Sequence, residues 1–219
     1  MEEFNLKQMW QSYHQKLEDV LLINKQQTEE ISTLKAQSFI SSMKPIKIFT
    51  IIIGVLWVLM VDYIVINLTL YAFSSTSIFF LISAGLQSLI TKIAIGVYLY
   101  QMYLIHNIDI SHSIIQTQEQ ITRLQASTLW VTRILFLQLP LWTTFYWGDY
   151  VFENLWVFAL QMSVISIFVY VAVWLFLNIK KENRDKKWFL LIFKGKEWTP
   201  LLNAMKALEQ IDDFKTEKN

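Results

Sequence analysis

Three charged side chains sit inside apolar runs of this chain: Asp62, Lys92 and Arg133. Charges in such surroundings can relay protons or ions, or they can pair with each other. Near the end of a run, a long basic side chain can also reach the water interface along its alkyl stem. An isolated charge at the centre of a membrane helix costs about 2.5–3.5 kcal/mol on insertion scales, so a partner or a wet cavity is expected. At ~1.5 Å per residue, Asp62 falls in the outer third of its run, and Lys92 and Arg133 in the inner half of theirs. Interfacial reach is therefore the first expectation for Lys92 and Arg133. An Asp62–Lys92 bridge between the first two runs comes next. A relay comes last, because relays ordinarily use more than one intramembrane acid, and this chain offers one.

Gln87, Gln138 and Gln161 fall near mid-depth of three runs. Such amides either join helices, at ~0.6 kcal/mol per bond on average, or line a polar pore. Pro140 has no backbone donor, so the Phe136 carbonyl loses its helical partner and a kink is expected there. The freed carbonyl can ligate something or be satisfied by a nearby hydroxyl or water. His106, Asp109 and His112 could approach a metal, but six-residue spacing across a turn is a poor ligand pattern, and exposed turn residues are expected instead. His14 has no clustered partner. HExxH, GxSxG, P-loop and Gly-rich dinucleotide patterns are missing, and zero cysteines remove thiolate chemistry. No catalytic set, metal or cofactor is expected, and an enzyme is the least supported class.

The elements that must position these residues are long helices. The chain has 219 residues, 54% of them hydrophobic and gathered in blocks, with only five glycines and three prolines. Its formal net charge of +1 supplies no basic field for nucleic acid. The expected fold is an all-α membrane protein: four transmembrane helices with a cytoplasmic helical platform. The spans are read at about 46–66, 78–105, 129–147 and 155–177, each close to the ~20 residues that cross ~30 Å of hydrocarbon. The connectors 67–77 and 148–154 hold no Lys or Arg, whereas the flanks 44–47 and 180–187 hold seven. The positive-inside rule then puts both termini in the cytoplasm. The opening MEEFNLKQMWQSYHQ lacks the basic and apolar regions of a signal peptide, so the first span is expected to serve as an uncleaved anchor.

Outside the bilayer lie two apolar seams. Leu6, Trp10, Tyr13, Leu17 and Val20 step by four, three, four and three, and the frame continues through Asn24 and Gln27 to Ile31 and Leu34. That is the a/d pattern of a helix seeking a helical partner. Residues 1–47 mix six acidic with six basic side chains, which favours helix packing over a helix lying on anionic lipid. The hairpin 106–127 repeats the pattern at Ile110, Ile114, Thr117, Ile121 and Leu124, behind a capping box opened by Ser113. The chain thus divides into a helix at 1–44, the membrane domain at 45–178, and a basic, interfacial and helical tail at 179–219. In that tail, 188–193 is too short to span. A helix should open at Thr199 and Pro200 with a stripe at Leu201, Met205, Leu208 and Ile211.

The segments NLKQMWQSYHQKLEDVLLIN and IIQTQEQITRLQASTLWVTRILFLQLPLWTTFYW resemble a group of four-span integral membrane proteins of Bacteroidetes-type bacteria. The resemblance covers most of the chain. The LKxMWxSY opening and the RILFLQLP run with its aromatic tail are its most specific parts. Such proteins are often encoded beside extracytoplasmic-function sigma factors, which implies a membrane-bound regulatory partner. The resemblance brings no catalytic residues, and the His/Cys zinc pattern of many anti-sigma domains is missing here. The expected function is a non-enzymatic, membrane-anchored interaction or regulatory protein, with the bilayer and a cytoplasmic protein or a homo-oligomer as partners. The alternative is a small oligomeric channel or transporter subunit.

Overall fold

A computed structural model describes residues 2–107, 114–193, 195, 198–204 and 206. Ile110, Asp109, His112, Ser113, Met205, Leu208 and Ile211 therefore lie outside the described residues, as do the side chains of Leu6 and Ile114. The described chain is all helical, without strands. Its helices are α1 (Glu2–Ser41), α2 (Lys44–Tyr71), α3 (Ile78–His106), α4 (Ile114–Phe136), α5 (Leu139–Thr144), α6 (Tyr150–Glu153), α7 (Leu155–Asn178) and α8 (Lys187–Phe193). Residues 198–204 are helical as well.

α1 runs into α2 through a tightened turn. The Met43 amide donates to Ile40 O and the Lys47 amide to Met43 O. Pro45, at the start of α2, has no amide to continue the ladder. From Tyr13 to Tyr71 the two make one helical path that contains a membrane-length apolar stretch, and Ile78–His106 and Leu155–Asn178 are the other described helices long and apolar enough to cross a membrane. The run expected at 129–147 is instead broken. α4 stops at Phe136, α5 starts at Leu139, and Leu137 and Gln138 donate to Ile134 O and Leu135 O. Those three-residue bonds replace the four-residue ladder that Pro140 cannot complete.

The burial pattern is that of a membrane protein. Along α3, Ile82, Leu86, Leu89 and Ile93 point outward while Ser83, Gln87, Ser88 and Gln101 are buried. An apolar exterior around a polar interior suits lipid rather than water. α3 is central, packing on α2, α4 and α5, and α7 closes the other side against α4, α5 and α6. α2 and α3 lie antiparallel, with Asp62 at Ser88, Gly54 at Ile95 and Lys47 at Gln101. A β-carbon on Gly54 would sit 3.2 Å from Ile95 Cγ1, so glycine is what lets these helices close up here.

The hydrophobic core sits at one end of the bundle. Ala36, Ile40 and Met43 meet Leu104 and Ile105 of α3, Ile121 and Leu124 of α4, Leu175 of α7, and Phe189 and Phe193 of α8. Trp198, Leu201 and Ala204 complete it. The WFLLIF segment contributes two anchors in tilted ring contact: the Phe189 and Phe193 centroids lie 4.2 Å apart, and that of Trp198 lies 4.1 Å from Phe193. At the α3 N-terminal end, Phe79, Trp147 and Phe152 are in mutual ring contact.

Candidate functional site

α3 carries a line of buried polar groups from Ser83 to Gln101. Its length is about 27 Å at 1.5 Å per residue, close to the thickness of a hydrocarbon core. Ser83, Gln87, Thr91, Tyr98 and Gln101 follow one another at helical spacing, so they share one face. Ser88 and Lys92 lie beside that face, toward α2.

Nearer the connector 72–77, α2 supplies the acid. Lys92 Nζ stands 2.8 Å from Asp62 Oδ2, and Ser88 Oγ donates to Asp62 Oδ1. Of the three expectations for these two residues, the bridge is the one present. The pair lies partly open at the side of the helix hairpin. Pairing there removes much of the cost that either charge would carry alone.

At the other end of the hairpin lies Lys47, one of the basic residues of the flank 44–47. It is fully buried. Its ammonium donates to Gln101 Oε1 at 2.5 Å and sits 4.7 Å over the Tyr98 ring, a desolvated cation–π geometry. A clue lay in the short connector 72–77, which forces α2 and α3 to pair antiparallel. Residues near the start of one span and the end of the next then share a depth.

Segment 138–147 is stitched to this line by side chains. Gln138 Nε2 donates to Thr91 Oγ1 at 3.2 Å, and that hydroxyl donates to Gln87 O at 2.8 Å. Thr144 Oγ1 and Ser83 Oγ are 2.7 Å apart. Ser77 Oγ donates to Trp147 O, and Trp147 Nε1 donates to Gln161 Oε1 at 3.3 Å. Pro140 thus breaks the helix where Gln138 must turn toward α3. Gln161 closes the outer end rather than facing the other two amides.

Gln87 differs from its neighbours. It is 1% exposed, and neither its Nε2 nor its Oε1 has a hydrogen-bond partner within the protein. Gln101 Nε2 and Thr117 Oγ1 share that condition. Buried polar atoms of this kind ordinarily cost ~1–3 kcal/mol each.

Arg133 acts at a helix end. Its Nε donates to the carbonyl of Ile179, which caps α7. A cation at a helix C-terminus satisfies an orphan carbonyl and complements the helix dipole. His106 is exposed, and His14 lies 5.2 Å from the Trp10 ring. Among the described residues no three His, Asp or Glu side chains converge as metal ligands would.

The two seams have different fates. Ile121 and Leu124 are buried in the inner core. Trp10 is 70% exposed, Tyr13 74% and Leu17 54%. From Trp10 to Ile31, every residue of α1 whose exposure is described is exposed. Ile121 and Leu124 belong to the core cluster that also holds Ala36, Ile40 and Met43, and the exposed Trp10, Tyr13 and Leu17 of the seam do not.

No protein-family description, no curated protein and no solved structure matches this chain.

Proposed function

We propose that this chain is a four-span protein of the bacterial inner membrane, non-enzymatic, with both termini cytoplasmic. The broken segment α4–α5 is its remaining crossing. Its work is to hold an interaction surface at the membrane and to couple that surface to the bundle. One observation carries the reading. α1 carries an exposed apolar seam from Trp10 to Ile31, while Ala36 and Ile40 near its end are buried in one core cluster with residues of α3, α4, α7 and α8. A partner seated on the seam therefore pulls on every membrane helix end at once. The partner is either a cytoplasmic protein or a second copy of the chain. The family resemblance makes an extracytoplasmic-function sigma factor the first cytoplasmic candidate. Deleting residues 2–31 tests the reading, because it removes the seam and spares the core. Loss of all cross-linked partners in cells is expected, and full retention would refute the reading.

A second reading, a channel or transporter subunit, is favoured by the buried polar line and by the unpartnered Gln87 amide. Reconstituted vesicles should then show ion flux that Gln87→Leu, Lys92→Met or Arg133→Leu abolishes. Absence of flux under several ionic conditions removes it.

A further inference from the structure

The free seam of α1 points to one occupant. We infer that it pairs with the same seam of a second copy, as a parallel two-stranded coiled coil. This rests on the reading of α1 as the interaction surface and names the partner.

The first argument is geometric. In the heptad frame the a positions are Trp10, Leu17, Asn24 and Ile31. The d positions are Tyr13, Val20, Gln27 and Leu34. The residues with which α1 packs on its own chain are Ser32, Thr33, Ala36, Ile40 and Met43, all buried. At 3.6 residues per turn that buried face lies roughly 180° around the helix from Ile31 and Leu34. Accordingly Ile31 and Leu34 stay half exposed beside fully buried neighbours. The helix has two apolar faces, and its own fold uses only one. A second copy can occupy the other without disturbing a single internal contact.

The second argument is the residue at the centre. Asn24 is a polar a position within an otherwise apolar a series. One asparagine at an a position lowers the stability of a coiled coil but fixes its register and its two-stranded state, because the two amides can bond only to each other. A seam built for a fatty groove or a lipid surface has no use for it.

The third argument is charge. Glu30 is a g position and Lys35 is the e position five residues on. In a parallel pair in register, Glu30 of one copy faces Lys35 of the second, on both sides of the seam. Both side chains are exposed and available for this.

The fourth argument is the bilayer. α1 continues into α2 through a single turn, so in every copy it leaves the membrane by the same face. Two copies in one membrane present their α1 helices side by side and pointing the same way. Parallel pairing is therefore the arrangement available, and confinement to a plane raises the effective concentration enough to support a seam with polar layers.

The test uses the full chain in its membrane and exploits the absence of cysteine. Single cysteines are placed at seam positions, Leu17→Cys and Val20→Cys, and at outward c positions, Asp19→Cys and Gln26→Cys. All four sites are exposed, so the substitutions leave the fold alone. Mild oxidation should give about tenfold more covalent dimer at positions 17 and 20 than at 19 and 26. Adding Asn24→Lys, which sets two like charges against each other, should remove that difference. Equal dimer at all four positions would overturn self-pairing, as would none at all. Labelling with a water-soluble maleimide separates the two ways of failing. If cysteines 17 and 20 form no dimer but remain shielded in cells relative to 19 and 26, another protein fills the seam and only self-pairing falls. If they label as fast as the outward positions, the seam is unoccupied and the reading of α1 as an interaction surface falls with it.

Discussion

Lys47 meets Gln101 at 2.5 Å in the interior of the helix hairpin, under the face of Tyr98. A lysine at the edge of a span is ordinarily free to reach water. This one is turned inward because α2 and α3 lie close together. Its charge then holds the open end of the hairpin, as the Asp62–Lys92 pair holds the half nearer the connector.

Lys47→Met should destabilise the protein by about 1–3 kcal/mol, since it strips the buried Gln101 amide of its remaining partner. Gln101→Leu alone should cost a similar amount by removing the Gln101 carbonyl oxygen that the ammonium donates to. The double variant should recover part of the loss. Thermal unfolding in detergent, read as a double-mutant cycle, checks this through a coupling energy of at least ~0.5 kcal/mol.

Lys92→Met leaves Asp62 alone in the lipid-facing hairpin. The expected loss is about 2.5–3.5 kcal/mol, the insertion cost of one unpaired charge. Lys92→Met with Asp62→Asn should restore most of it, with Ser88 still bonded to the amide. Yields of folded protein on size exclusion, compared across the single and double variants, decide the matter. Equal yields for both would show that the pair contributes nothing.

Gln87→Leu should raise stability by about 1–3 kcal/mol if the amide is only buried, because an apolar group of similar size removes two unpaired polar atoms. The measurement is again the unfolding midpoint. A lower midpoint would mean that Gln87 is satisfied by something bound, and would favour the pore reading.

Pro140→Ala restores the missing amide donor. α4 and α5 should fuse, carrying Gln138 away from Thr91. Hydrogen exchange across 137–141 should slow as four-residue bonds replace the present three-residue ones. Unchanged exchange would show that the contacts of Gln138 and Thr144, rather than the proline, hold the break.

Local chemistry was legible in the residues alone. Runs read at 46–66, 78–105 and 155–177 correspond to α2, α3 and α7 within a few residues, because hydropathy and backbone bonding are set along the chain. The break near Pro140 followed from one missing donor. The seam of α1 was visible as a spacing, but its exposure was not. Spacing shows that a helix has an apolar stripe, and only neighbouring helices decide which stripe is covered. Ala36, Ile40 and Met43 are buried in the core cluster, and Trp10, Tyr13 and Leu17 stay exposed. The burial of Lys47, the capping of α7 by Arg133 and the turn of Gln138 toward Thr91 are likewise products of packing. Each joins residues from different helices, and such a meeting depends on which helices are neighbours and at what register.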